Sequence, residues 1–364
     1  MWSQAVISEV YTLHALFVAL VAALAVWIPL KARSGWWDAL LGVVLGLAVG
    51  NHLTSVFLIP AALLRMKQPR PFRIDPGALA RGAAGLGTGL LVYAALPLRA
   101  LSLPPVNWGD PVTLERFSWL VSGQLYQRRL LNLPAAGMVE RLEEAGGLLA
   151  AQVGLAGILL ALVGLIFYFK PTRLYFLTLW IAAAFAAFAV LYASADSYLY
   201  LIPVVLSAAV WVGLGLGGLL QPTFAYFKGF RAVAAALFGL LLVGYAVERW
   251  PRVDASADTR AEQFGAEVMA SAPQNALILA EDDASIFALW YFHFALKQRT
   301  DLVVMAKDLL HFAWYDDTLR ATYPGAAWPE GLFWPQTVAE VNPARAMCTL
   351  SSAQGMKLAC SVPY

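Results

Sequence analysis

Apolar residues in this chain come in long blocks, and polar punctuation falls between them at about the 20-residue interval that a helix needs to cross a bilayer. Blocks from Val10 to Leu30, Ala78 to Leu96, Leu148 to Phe169, Leu174 to Ala193, Tyr200 to Leu220 and Ala232 to Val247 each predict a membrane span. A further block, Asp38 to Leu64, is broken in its middle by Gly50-Asn51-His52. Lys31 and Arg33 precede it, and Arg65, Lys67, Arg70, Arg73 and Arg81 follow it. Lys and Arg flanks are held on the cytoplasmic side, so both ends of this block are expected there. Two half-helices of about 12 residues, each rising roughly 18 Å, would enter, turn and return. A polar turn at membrane depth is expected inside protein or beside a watery cavity. One long tilted helix with a polar notch is the alternative, and it would leave Lys31 and Arg33 outside.

The remaining punctuation agrees with this layout. The first span ends at Lys31, which puts Glu9 at the outer surface, and the span after the hairpin emerges at Arg99. Residues 99–147 lose hydrophobicity and carry Trp108, Phe117, Trp119 and Tyr126, the pattern of a surface-lying outer loop. Later spans alternate between Lys170 and Arg173 inside, Asp196 outside, and Lys228 and Arg231 inside. The fold class is therefore an α-helical polytopic membrane protein, six full spans plus a short-helix hairpin, with a C-terminal extracytoplasmic α/β domain. The domains are 1–248 and 249–364. In the second, a helix Arg260–Ser271, a strand Ala276–Ala280, a helix Ala284–Lys297 and a strand Leu302–Met305 form one parallel βαβ unit. Beyond Trp314, prolines and scattered aromatics yield no assignment.

Composition narrows the class further. With 60% hydrophobic and 13% charged residues and a mean hydropathy of +0.65, a soluble protein is excluded. The net charge of +2 conceals segregation, since bases gather in short loops while acids outnumber them from Arg249 onward. Nucleic acid is thus no partner. Cys348 and Cys360 both lie in the terminal domain, where an exported compartment would permit a disulfide. The Ala, Gly, Leu and Arg bias points to a bacterial inner membrane, with the terminal domain in the periplasm or outside.

Several polar residues are candidates for chemistry. Glu9 stands among Gln4, Ser8, Tyr11 and Thr12 at the mouth of an apolar helix; it reads as a functional acid or as a carboxylate stabilising a helix N-terminus. Asn51 and His52 offer donors at the break, where the N–H groups of the second half-helix could hold a phosphate oxygen; His52 equally fits a packing role. Arg99 suits a phosphate headgroup. Asn107-Trp108-Gly109-Asp110-Pro111 is a turn in which Asp110 would cap a helix starting near Val112 and Trp108 would offer a flat face to a sugar or to the interface. Asp196 ends an outer turn. Glu281-Asp282-Asp283 reads as a helix cap. His14, His293 and His311 show no metal-ligand spacing, and no Gly-rich phosphate loop is present.

Four stretches together, Trp2-Ser3-Gln4-Ala5-Val6-Ile7-Ser8-Glu9-Val10-Tyr11-Thr12-Leu13, Gly46 to Thr54, Leu96-Pro97-Leu98-Arg99 with Asn107 to Pro111, and Val121-Ser122-Gly123-Gln124-Leu125-Tyr126, resemble a family of integral-membrane proteins related to the protein O-mannosyltransferases and placed among the GT-C-type glycosyltransferases. The resemblance implies transfer of a sugar from a polyprenyl-phosphate carrier to a protein or glycan acceptor at the outer membrane face. It implies that Glu9 is the second acid of the site, that Asn51 and His52 face the carrier phosphate, and that Arg99, Asn107, Trp108 and Asp110 border the cavity. Asp196 is a further substrate-binding candidate from its place in an outer turn alone, where solubility is the other explanation. The principal base is expected in an acidic loop ahead of Ser3, which the sequence does not contain, so the chain reads as an incomplete part of such an enzyme. Ser8 and His14 stand where the family pattern has Ala and Asn. No cofactor is required, and a divalent metal is compatible with a phosphate-bearing donor. The rival class is a membrane transporter or glycan-binding scaffold whose broken hairpin lines a solute path.

Overall fold

The computed structural model describes residues 9–31, 35–66, 75–166, 172–220, 229–331, 335–350 and 357–361. The basic loop 67–74 and the start of the first motif, 1–8, lie outside them. In chain order the helices are α1 (Tyr11–Lys31), α2 (Trp36–Asn51), α3 (Ile59–Met66), α4 (Pro76–Leu90), α5 (Ala95–Ala100), α6 (Leu114–Val121), α7 (Gln124–Gln127), α8 (Ala135–Ile166), α9 (Arg173–Leu191), α10 (Ile202–Leu219) and α11 (Phe230–Val253). Then follow α12 (Arg260–Ser271), β1 (Leu277–Ala280), α13 (Asp283–Trp290), β2 (Val303–Ala306), α14 (Ala313–Thr322), α15 (Pro335–Glu340), β3 (Met347–Leu350) and β4 (Leu358–Cys360). Among the described residues, Pro76–Ala100, Ala135–Ile166, Arg173–Leu191, Ala195–Leu219 and Ala232–Val253 are long and apolar enough to cross a membrane. The 21 residues of α1 cover the first expected span. The chain is a polytopic membrane protein with a C-terminal α/β domain.

Two compact units divide it, residues 1–93 with 122–255 and residues 94–121 with 256–364. In the first, α2 and α4 touch through glycines. A Cβ on Gly42 would lie 2.1 Å from the Gly82 carbonyl oxygen, on Gly85 2.1 Å from that of Ala39, and on Gly89 2.3 Å from that of Val43. The matched positions rise together along both helices, ending with Gly50 against Val92 and the Tyr93 hydroxyl on Val49 O at 2.9 Å. The two helices are therefore parallel, and the chain between them must return to the face on which α2 began. This is the hairpin. The return leg differs from two equal half-helices: Leu53–Leu58 is a 3-10 turn, and α3 begins only at Ile59. Pro60 accounts for the change, because it lacks an N–H and its ring fits only the first turn of an α-helix. The turn also lies shallower than expected. The 16 residues of α2 rise about 24 Å, and the Asn51 side chain reaches Val10 O at 3.3 Å, level with the start of α1.

Elsewhere in this unit α8 and α10 pack antiparallel, again through glycines, Gly164 against Trp211 O and Gly215 against Leu160 O. Helix α8 starts at Ala135, inside the stretch read as outer loop, and breaks at Gly154 (φ 72, ψ 163).

In the second unit the sheet order is β2-β1-β3-β4, with β1 parallel to β2 and to β3, and β4 antiparallel to β3. Central β1 reads Leu-Ile-Leu-Ala and is wholly buried, as a parallel strand covered on both faces must be. The outward N–H groups of edge strand β2 are taken by phenols, Val304 N by Tyr323 at 3.2 Å and Ala306 N by Tyr315 at 2.9 Å. Burial pushes both phenols well above their usual range, and the edge is closed to further pairing. Asp282 caps α13 through Ser285 N at 2.9 Å, as its sequence position suggests. That helix gives way to a π-helical turn at Tyr291–Ala295 rather than running on to Lys297. Cys348 and Cys360, direct partners across β3 and β4, form a disulfide.

Candidate functional site

Four helix ends meet at one end of the membrane unit: the starts of α1 and of the 195–219 helix, and the ends of α2 and α9. His52 makes the corner. Its N–H closes α2 on Ala48 O at 2.9 Å, and its backbone then turns extended (φ −151, ψ 123). Its Nδ1 accepts from Thr54 N at 3.3 Å and lies 2.8 Å from Thr54 Oγ1, while its carbonyl accepts from Ser55 N at 2.9 Å. Two of the N–H groups expected to bind a phosphate, those of Thr54 and Ser55, are thus already occupied, and the ring that accepts at Nδ1 carries its proton on Nε2.

Around this corner the side chains are aromatic and hydroxylic. The His52 ring lies 4.9 Å from His14 and 5.6 Å from both Tyr11 and Tyr200. His14 is 2% exposed, with Nδ1 3.1 Å from Ser55 Oγ. Tyr200 meets Phe188 and Tyr192 edge-on, at 4.8 and 5.6 Å, and shares a side-chain hydrogen bond with Tyr11. Glu9 and Asp196 are exposed, and both lie within electrostatic reach of the Tyr11 hydroxyl. So the structure brings Glu9, Asn51, His52 and Asp196 to one place, from three separate segments.

The segment after the Val121–Tyr126 motif closes on the same place. Gly123 (φ +62) turns the chain into α7, and a Cβ there would meet Leu53 Cδ2 at 3.3 Å. Residues 129–131 then run along the end of α9: Ala193 N donates to Arg129 O at 2.8 Å and Leu131 N to Leu191 O at 2.9 Å. This carries the Arg129 guanidinium to the Tyr192 side chain, with Nη1 3.4 Å from Ser194 Oγ. Arg141 of α8 hydrogen-bonds Ser197 of the same turn. Sequence reasoning missed both arginines, as well as Tyr192 and Tyr200. The one available signal was the motif immediately before Arg128-Arg129.

Arg99, Asn107, Trp108 and Asp110 belong to the other unit. Arg99 is exposed. Asn107 and Asp110 are buried together, Nδ2 to Oδ1 at 2.8 Å. Asp110 does not cap α6; Thr113 Oγ1 does, accepting from Arg116 N at 3.2 Å. Asp110 instead pairs with Arg116, which also holds Asp317 at 3.0 Å. Its left-handed backbone (φ 38), beside Gly109 (φ 75), aims the carboxylate at that partner. Trp108 packs against Trp314, ring centres 6.1 Å apart, so one face is covered. No group of three or more His, Cys, Asp or Glu side chains suited to a metal ion occurs among the described residues.

Residues 1–69 match the family model described as the Protein O-mannosyl-transferase TMEM260 N-terminal domain, and residues 261–342 match TMEM260-associated domain 2. Protein O-mannosyl-transferase TMEM260 of Mus musculus is 26% identical over 361 residues, an alignment covering 90% of this chain and 50% of the mouse protein. The chain spans about half the length of this curated relative. No solved structure matches it. Two domain models, one at each end, and an alignment through most of the length relate this chain to the protein O-mannosyltransferases.

Proposed function

We propose that the chain is the membrane part of a GT-C-like glycosyltransferase that moves a sugar from a polyprenyl-phosphate carrier to a protein acceptor at the outer membrane face. The observation that carries this reading is the convergence of Glu9, Asn51, His52 and Asp196 at the corner of a returning hairpin. Sugar transfer from a phosphate carrier needs a carboxylate to take the acceptor's hydroxyl proton as the phosphate departs. Glu9 and Asp196 suit that role, since both are exposed and both lie within electrostatic reach of the Tyr11 hydroxyl, while the apolar helices below suit a lipid tail. The disulfide between β3 and β4 belongs to an oxidising compartment, which supports an extracytoplasmic α/β domain and an outer-face site, in a bacterial inner membrane with that domain in the periplasm.

The test is labelled mannose transfer from polyprenyl-phosphate mannose to protein, in membranes from cells carrying the native gene, Glu9→Gln or Asp196→Asn. Loss of general-base function costs about a hundredfold or more, and at least one variant is expected to show it. Unchanged labelling in both would overturn the assignment. Cysteines at Gly35 and Gly77 should be labelled from the cytoplasm and one at Ala195 from outside; labelling of Gly35 and Ala195 from one side would overturn the topology.

A further inference from the structure

Arg129 and Arg141 come from separate segments, the loop before α8 and α8 itself, yet both reach one turn. Arg129 approaches Ser194 and Arg141 contacts Ser197, and Ser197 N bonds back to Ser194 O at 3.2 Å, so the two hydroxyls belong to a single tight turn. Both partners are neutral. Among the described residues neither guanidinium has a carboxylate within ion-pair distance, in contrast with Arg81, Arg116, Arg260, Arg299 and Arg320, each of which has one. A guanidinium keeps its charge at every working pH and presents five donors, so two of them over one turn leave several donors for an anion. Beside Arg129, Tyr126, Leu130 and Leu131 are exposed, 45%, 45% and 65%. Leu131 holds a left-handed backbone (φ 57) that keeps it against the end of α9. An anion held there would be bordered by apolar side chains at the end of a membrane helix bundle.

We propose that Arg129 and Arg141 form a clamp for the phosphate of a prenyl-phosphate lipid, with the tail running beside Leu130 and Leu131. This rests on the reading of the same end as a sugar-transfer site, and it moves the phosphate contact from His52 and Arg99 to the turn at Ser194–Ser197. The two arginines are binding residues, and the proton transfer stays with the carboxylates.

The experiment is binding of farnesyl phosphate to the full chain in lipid nanodiscs, with farnesol and inorganic phosphate as competitors. Arg129→Gln and Arg141→Gln should each weaken farnesyl phosphate about ten- to a hundredfold, the usual range for losing a charge-assisted contact. Arg128→Gln, one position away, should stay within about twofold. Unaltered farnesol binding in the Gln variants shows that they remain folded, and Arg129→Lys should recover part of the affinity by restoring charge without the fork. Equal affinity of native chain and both Gln variants for farnesyl phosphate overturns the clamp. So does inorganic phosphate competing as well as farnesyl phosphate, since the ligand would then be a free anion. Failure here with transfer still abolished by Glu9→Gln removes the clamp alone. Arginine-dependent binding together with transfer indifferent to both carboxylates keeps the clamp and removes the sugar-transfer reading.

Discussion

The two units are held together in different ways. In the membrane unit the tightest junctions are glycine against backbone, at Gly42, Gly46, Gly85 and Gly89 between α2 and α4 and at Gly164 and Gly215 between α8 and α10. Large side chains such as Leu159, Leu240 and Leu241 point outward instead. In the α/β unit the centre is large aliphatic, with Leu277, Ile278, Leu289, Leu302 and Met305 all at 0% exposure. Solvent explains the contrast. A leucine gains little by leaving lipid for protein, so helices there associate by close fit. A leucine leaving water gains about 25 cal/mol for each Å² covered.

The strongest way to break this contrast is to add volume at a glycine junction. Gly85→Leu forces a side chain into the Ala39 carbonyl and should cost about 3 kcal/mol or more, read as loss of a monodisperse peak in mild detergent. Gly87→Leu, with nothing within 4 Å, should leave the peak intact. A cavity or a lost cross-link should matter in the other unit. Cys348→Ser opens the 12-residue separation between the cysteines and should lower the stability of the sheet by about 2–4 kcal/mol, seen as faster hydrogen exchange in β1 and β3 with the α2 and α4 amides unchanged. Equal changes in both units would show that they unfold as one.

The smallest effect is one of pH, and it should touch only the water-exposed unit. Burial holds the His293 imidazole below its usual 6.5, although its Nδ1–H bonds Gln298 O at 3.2 Å. The unfolded chain therefore binds this proton more readily than the folded one. The stabilisation is complete above about 6.5 and is lost as pH falls through the lower folded value. Hydrogen exchange in β1 and β2 should quicken between pH 7 and pH 5, and His293→Gln should flatten that slope. Asp301, held far below the usual carboxylate range by Arg299, acts in a separate and more acidic window, because its contribution persists until pH drops below its unfolded value of about 3.8.

Spans, hairpin and the first βαβ were legible because each is a local pattern: hydrophobic length, basic flanks, and the buried run at Leu277–Ala280. Strands β3 and β4 were not. Met347–Leu350 alternates half-buried and buried, Leu358–Cys360 is three residues long, and each is a strand only because β1 and the disulfide supply its neighbour. At the site, Glu9, Asn51, His52 and Asp196 could be chosen by polarity alone. Arg129 and Arg141 could not, because a single arginine is ordinary until the fold shows that a second one reaches the same turn and that, among the described residues, neither has a carboxylate within ion-pair distance. Asp110 failed as a cap for the converse reason, since its partner Arg116 lies six residues on and also holds Asp317.

The parallel course of α2 and α4 has an electrostatic consequence. Aligned peptide dipoles give each helix a partial positive charge at its start, and here two such starts lie side by side. Each is met by an acid, Asp38 in the first turn of α2 and Asp75 accepting from Gly77 N at the head of α4. Arg81 then bonds Asp38 at 2.9 Å and approaches Asp75 at 4.0 Å. Its charge is balanced within the protein by the carboxylates that answer the dipoles. A count of basic flanks that includes Arg81 therefore overstates the electrostatic pull by which the hairpin ends are expected to stay on the cytoplasmic face, and more of that expectation rests on the bases between α3 and α4.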